Sequence, residues 1–308
     1  DFLDGHYEQA YNEASALLRA NAVKEFDPEL RRIAGESLYN LGRTEQAIPY
    51  LRQYIATGTD IRPSAYYMLG VSEYEGGNYA DAINMLQMAT GDEDITGQSA
   101  YLYLGQSYLR TGDTNAAILA FDKASRMNYD QRITEAASYN YIASRMAGGR
   151  VPFANSVTLL EDFLKKYPQS AYAPAVSESL VTGYMTDGDY DNALRILNGI
   201  KNPTPQMLRS RQQVLFMLGT RLYHNGDTEQ ALDYFTQGAD MAGGIPELTR
   251  QCRLWAANAN YDLGNYDEAA ADYLAFLREA PADDANLTDA YYNLGYTRMH
   301  QQRYDDAL

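Results

Sequence analysis

"YLYLGQSYLRTGDTNAAILAFDKA", residues 101–124, reads as one helix, a polar turn and a second helix. Leu102, Gly105, Tyr108 and Leu109 recur at three- and four-residue steps, the period of a helix face and not the alternation of a strand. Gly112-Asp113 interrupts that pattern as a turn does between helices. Ala117, Phe121 and Ala124 then resume it at helical spacing. Small residues on both helices let them approach closely while larger neighbours interdigitate.

The same arrangement recurs along the chain. The turn phrase G-x-[YT]-x-x-A stands at 5–10, 42–47, 77–82, 112–117, 188–193, 226–231 and 264–269, with degenerate copies at 151–156 and 302–307. Its closing small residues are Ala10, Ala47, Ala82, Ala117, Ser156, Ala193, Ala231, Ala269 and Ala307. They lie 37, 35, 35, 39, 37, 38, 38 and 38 residues apart. Leu-Gly precedes the turn position by seven residues in "YYMLGVSEYEGG" (66–77), "LFMLGTRLYHNG" (215–226) and "YYNLGYTRMHQQ" (291–302). In "DLGNYDEAAADYLAFLREAP" (262–281), Gly264 makes the turn, Tyr266 and Ala269 set the helix packing, and Pro281 marks the exit to the next unit. A constant period of this size marks stacked units, not a domain folded around one site.

Leu-Gly on the first helix, Gly-x-Tyr-x-x-Ala at the turn, an aromatic four residues on and a small residue three further resemble the tetratricopeptide repeat. Residues 98–131 carry the pattern on Tyr101, Leu104, Gly105, Tyr108, Gly112, Ala117, Phe121 and Ala124. The resemblance covers essentially the whole chain. It implies an all-α fold, a right-handed superhelical solenoid of antiparallel helix pairs. On this reading residues 1–308 form a single solenoid of about seven full repeats with a partial repeat at each end. Residues 1–20 are expected to be a second helix only, and 286–308 a truncated unit. Neither end reads as a polar capping unit, so the chain is expected to be a fragment of a longer array. Val181 and Ala257 replace the first-helix glycine in two copies. An expanded turn, "AGGRVPFA" (147–154), is the place expected for a tolerated insertion, a change of pitch or a functional loop.

Composition narrows the partners. The formal net charge is −16, and an acidic surface repels phosphate backbones, so neither nucleic acid nor an anionic membrane is expected as partner. No apolar run approaches the ~18 residues of a membrane span, so no direct membrane insertion is expected. Cys252 is the single cysteine, which excludes an internal disulfide framework and any multi-cysteine metal site. The chain begins at Asp1 with neither a basic nor an apolar leader and reads as a processed form or an excised piece.

No constellation of reactive side chains emerges. His6, His224 and His300 are too widely spaced for a metal site, and no metal or cofactor is expected. Cys252, three residues before Trp255 in an apolar context, reads as a small buried hydrophobe. Gly pairs at 76–77, 148–149 and 243–244 follow helices and are turns, not phosphate cradles. Acidic pairs such as Asp283-Asp284 and Asp305-Asp306 fall beside turns, where they favour helix N-termini. No catalytic residue is assigned, and the chain is not read as an enzyme.

The outlier is tyrosine, 28 against 8 Phe and 1 Trp. In the tetratricopeptide fold the first helices line a concave groove, and the resemblance places its lining three residues before, one after and four after the Leu-Gly glycine. The expected binding residues are Tyr39, Tyr67, Tyr74, Phe216, Tyr223, Asn258, Tyr261, Tyr292 and Tyr296. The same positions also hold Arg32, Glu36, Val71, Leu102, Leu109, Thr220 and Leu254. Tyrosine gives large contact area at low entropic cost with a polar tip, which suits recognition. The other explanation, packing between repeats, stays open. Chaperone-binding relatives clamp a carboxylate with a Lys/Asn/Arg set. Glu29, Arg32 and Glu36, or Ser64, Tyr67 and Val71, do not match it.

The expectation is a non-catalytic scaffold binding a protein or extended peptide in a Tyr-rich groove. The alternatives are a spacer between domains of a larger envelope protein, or a carbohydrate or ligand binder. "DFLKKYPQSAYAPAV" (162–176) resembles the inter-repeat link of bacterial, Bacteroidota-type cell-envelope tetratricopeptide proteins, implying a periplasmic or envelope-associated location, with the cytoplasm as the alternative.

Overall fold

The computed structural model describes residues 1–21, 24–147 and 154–307. Contacts divide the chain into two compact units, Asp1–Ser170 and Ala171–Leu308. The first unit holds α1 (Tyr7–Ala20), α2 (Asp27–Asn40), α3 (Thr44–Thr57), α4 (Pro63–Glu75), α5 (Tyr79–Met88), α6 (Ile95–Thr111), α7 (Thr114–Arg126), α8 (Gln131–Ala147) and α9 (Ala154–Lys166). The second holds α10 (Ala173–Thr186), α11 (Tyr190–Gly199), α12 (Pro205–His224), α13 (Thr228–Ala239), α14 (Pro246–Asp262), α15 (Tyr266–Glu279) and α16 (Leu287–His300). Short 3₁₀ turns stand at Lys24–Phe26 and Tyr304–Asp306. Within each unit helices pack on their chain neighbours, and the first helix of a pair also touches the first helix of the next: α2 on α4 and α4 on α6, α12 on α14 and α14 on α16. This is the antiparallel-pair solenoid that the repeat implies. The expanded turn expected at 147–154 lies, from residue 148 to 153, outside the described residues.

The turns explain the first recurring glycine. Gly42, Gly77, Gly112, Gly188, Gly226 and Gly264 all have φ between 72° and 89°, a left-handed conformation that closes one helix without the steric penalty of a Cβ. The degenerate copy keeps the geometry without the glycine, because Gln302 takes φ 61° at the same register. Aspartates then cap the next helix: Asp113 Oδ1 accepts from the Ala116 N–H at 3.0 Å, and Asp189 Oδ1 from the Asn192 N–H at 3.2 Å.

The second recurring glycine sets the distance between paired helices. A Cβ at Gly35 or Gly70 would lie 2.7 or 2.6 Å from the side chain of Leu51 or Leu86, and one at Gly105 or Gly219 would lie 2.6 or 2.7 Å from Phe121 or Phe235. These large residues stand four after the closing Ala, so the glycine is a socket for them. All four are fully buried. Burying each contributes about 2–3 kcal/mol. Where Ala257 replaces the glycine, the corresponding residue is Tyr273, also buried, whose hydroxyl reaches a polar partner on the same first helix.

At one junction in each unit, neighbouring pairs are joined by a buried glutamine seven residues before the glycine. Gln98 Nε2 donates to the Ala124 carbonyl at 3.1 Å and to Thr134 Oγ1 at 2.9 Å, and its Oε1 accepts from the Asp130 N–H at 2.8 Å. Gln212 repeats the arrangement in the second unit, on the Gly238 carbonyl at 2.9 Å, Thr249 Oγ1 at 2.8 Å and the Ile245 N–H at 2.6 Å. Each amide satisfies the end of one helix and the start of another, groups that would otherwise be buried without partners.

The outer side of α3, α4 and α5 is tied by charge. Arg52 Nε donates to Glu73 Oε1 at 2.7 Å, and the same guanidinium binds Asp81. Glu73 is fully buried and also accepts from Asn78 Nδ2 at 2.9 Å. A buried carboxylate without such donors would carry a large desolvation penalty.

Candidate binding face

In the first unit the expected tyrosines meet one another. Tyr39 on α2 and Tyr67 on α4 have ring centroids 6.4 Å apart in an edge-to-face arrangement. Tyr67 meets Tyr103 on α6 at 6.3 Å, and Tyr103 meets Tyr74 at 5.4 Å. Tyr74 in turn contacts Tyr79, at the start of α5, at 5.5 Å. The result is a half-buried aromatic string across three successive first helices, each contact of the favoured edge-to-face kind. Burial raises the phenol pKa of Tyr39 and of Tyr103, with the neighbouring tyrosines adding to it, so these hydroxyls stay protonated.

At the first unit's beginning the same register is ionic. Arg32 and Glu36 are both buried and joined through Nη1 and Oε2 at 2.7 Å, while Arg32 Nε reaches Glu29 Oε2 at 2.9 Å. The Phe2 ring lies 5.4 Å from the Arg32 guanidinium, a cation–π contact. Burial pushes the Glu36 carboxyl up, whereas the Arg32 bond holds Glu29 below the usual range.

In the second unit the expected residues find polar partners. Tyr223 donates to Asp262 Oδ2 at 2.5 Å, and its ring meets Trp255 at 5.3 Å. Phe216 turns toward Phe235 on its paired helix, at 6.2 Å. Asn258 Oδ1 accepts from the Tyr273 hydroxyl at 2.6 Å and from Asn293 Nδ2 at 3.3 Å, joining α14, α15 and α16. Tyr261 sets its edge against Tyr266 and His300, and those two stack at 4.5 Å with planes 6° apart. Tyr292 and Tyr296, one turn apart on α16, are joined hydroxyl to hydroxyl at 3.1 Å and remain 62% and 43% exposed.

Nine expected residues thus form local groups: Tyr39, Tyr67 and Tyr74 in one string, Tyr292 with Tyr296, and the others each with residues outside the set. Of the participants missing from the sequence reading, three share one register. Tyr103, Trp255 and Asn293 all stand two residues before the glycine position, one step from the register used. The signal was present in the aromatic residues of "YLYLG" and in the chain's one tryptophan. Packing from an adjacent, inclined helix reaches one residue further round than a single stripe allows.

Among the described residues no three His, Cys, Asp or Glu side chains come together to hold a metal, and no helix is long and apolar enough to cross a membrane.

A family model described as tetratricopeptide repeat matches residues 4–66, 34–95, 67–130 and 216–284. The chain belongs to the tetratricopeptide repeat family. Solved structures are similar to this tetratricopeptide array. The Naa15/Naa10 structure bound to HypK-THB matches at 19% identity and a TM-score of 0.51, over 91% of this chain and 42% of that one. The C-terminal part of a TPR repeat-containing protein from Cytophaga hutchinsonii matches at 16% identity and 0.49, covering 83% and 97%. A tetratricopeptide repeat protein from Parabacteroides merdae matches at 16% and 0.45, covering 82% and 94%. The Naa15/Naa10 match, at its identity, speaks for the fold alone. A comparison with curated proteins found no match. Tetratricopeptide repeats generally mediate protein–protein interaction and are generally non-catalytic scaffolds.

Proposed function

We propose that this tetratricopeptide array is a non-catalytic scaffold that holds a protein or extended peptide segment against the tyrosine-bearing side of its first helices. The observation that carries the reading is the exposed Tyr292–Tyr296 pair on α16, two adjacent rings whose hydroxyls, among the described residues, are joined only to each other. A segment laid across them gains aromatic contact area with little side-chain ordering, and each hydroxyl offers a further hydrogen bond. The half-buried string from Tyr39 to Tyr103 supplies a stiffer version of the same surface.

The test is selection of extended peptides from a displayed random library on the folded chain, followed by titration. Tyr292→Ser/Tyr296→Ser is expected to weaken a selected peptide about tenfold or more, as loss of a central aromatic anchor does. Unchanged affinity, or no selectable peptide at all, removes the groove. The second outcome favours the spacer, a role supported by helices that, among the described residues, pack mainly on near neighbours in the chain. A periplasmic or envelope location completes the proposal and rests on residues 162–176. Fractionation of source cells tests it, and recovery in the cytoplasmic fraction would overturn it.

A further inference from the structure

A cleft of about 800 Å³ opens in the second unit between α13 and α15, with α14 as its floor. Asn260 and Arg253, which line it, lie on a different side of α14 from Leu254, Asn258 and Tyr261, so the cleft is separate from the tyrosine face. Its place in the repeat is the one that Arg52 closes in the first unit. Arg52 stands five after the closing Ala47, and Thr236 stands five after Ala231. Glu73, three after Gly70, corresponds to Asn260, three after Ala257. Asp81, just before Ala82, corresponds to Glu268, just before Ala269. One carboxylate, Glu268, therefore remains at this register, an amide replaces the other, and the guanidinium that binds them is absent.

The charges around the cleft are left open. Asp233, Asp240, Glu268 and Asp272 face it together with Arg211 and Arg253. Arg253 is committed to Glu279 at 2.5 Å. No ion pair among the described residues reaches any of the four carboxylates; Asp272 accepts from the Asn260 amide at 3.1 Å and feels the charge of Arg253 at longer range. Burial raises the pKa of Asp272, a penalty that an incoming cation would relieve. Arg211 carries the opposite need, since its Nε is buried without a hydrogen-bond partner.

We propose that this cleft receives an arginine side chain of a partner peptide, its guanidinium between Glu268 and Asp272 and a nearby main-chain carbonyl on Arg211. The occupant is chosen by three features: the guanidinium already bound at the equivalent place, the surplus of carboxylates, and an arginine on the cleft wall whose Nε lacks an acceptor. A planar, multiply donating guanidinium suits two carboxylates better than a point-charge ammonium. The inference does not rest on the tyrosine face, and its test uses none of those residues.

Calorimetric titration with acetyl-Gly-Arg-Gly-amide, its citrulline counterpart and free L-arginine tests the assignment. The arginine peptide is expected to saturate one site, with the citrulline peptide about tenfold or more weaker, a difference of one charge-assisted contact. Glu268→Gln/Asp272→Asn is expected to weaken the arginine peptide by a similar factor. Thr236→Arg, which supplies the guanidinium from the chain itself, is expected to abolish peptide binding and raise Tm, with circular dichroism verifying the fold of each variant. Equal binding of the arginine and citrulline peptides overturns the proposal, as does full affinity in Thr236→Arg or in the carboxylate variant. Free L-arginine binding as tightly as the peptide overturns the peptide source.

Discussion

Between α3 and α5, Arg52 draws Glu73 and Asp81 together and closes the outer groove; between α13 and α15, Thr236 stands in its place and the groove is a cleft. The helix pairs beneath are built alike. Both have a residue seated against the glycine or its Ala257 substitute, and a left-handed turn. The difference teaches that the repeat's shape is held by a few inward positions, which leaves the outward ones free. At those positions one copy carries a stabilising bridge and another carries unpaired charge. A solenoid whose units each touch only their neighbours can vary one groove without disturbing the rest.

The largest way to break this comparison attacks what both places share. Gly70→Val in α4 would drive a side chain into Leu86, whose atoms lie 2.6 Å from an added Cβ. Overpacking of this kind costs about 3 kcal/mol and is expected to lower the urea midpoint of the first unit sharply. The smaller Ala257→Gly change in α14 should cost only about 1 kcal/mol, because Tyr273 already fits around that Cβ. Comparable losses at the two positions would mean that the socket is not the common element.

Next in size is the shared glutamine. Gln98→Leu and Gln212→Leu each orphan a buried N–H and a buried carbonyl, and each is expected to cost about 2–3 kcal/mol in urea melts. A large loss in one unit and none in the other would break the equivalence. Arg52→Ala should cost less, about 1–2 kcal/mol, since Arg52 is half exposed and solvent screens its bond to Asp81. The loss comes mainly from Glu73, left buried with only Asn78, so Glu73→Gln added to Arg52→Ala should recover part of it. Thermal melts of the single and double variants decide this.

The smallest expected effect sharpens the open side. Cys252 on α14 is fully buried, and burial pushes its thiol up to about 12. Thiolate is therefore scarce between pH 7 and pH 9, and labelling of the native chain by a disulfide reagent should stay slow across that range. Fast labelling that rises with pH would show that the cleft reaches down into the α13–α14 packing.

Much of the architecture was legible before any coordinate. The turn glycines, the Leu-Gly pair and the spacing of Ala47, Ala82 and Ala117 are local signals, because each satisfies a backbone or close-approach requirement within one helix pair. The identity of the socket's occupant was visible as the aromatic four after Ala117, though its fit against Gly105 was not. The aromatic string was half legible. Tyr39, Tyr67 and Tyr74 followed from register, but Tyr103, Trp255 and Asn293 required knowing how far round an inclined neighbouring helix reaches. Arg52 was not legible at all. Its partners lie 21 and 29 residues away in the chain, and nothing local distinguishes a bridging arginine from a solvated one.

The amino-acid sequence by itself determined the repeat, the helix pairs and the acidic, cysteine-poor character of this chain, because those depend on periodicity, turn chemistry and composition. The tertiary structure decided which tyrosines are locked into packing and which stand free. It also decided that one groove is closed by a guanidinium and another left open. Those outcomes depend on which side chains from separate repeats arrive within a few ångströms of each other, a property of helix packing that no single stretch of sequence contains.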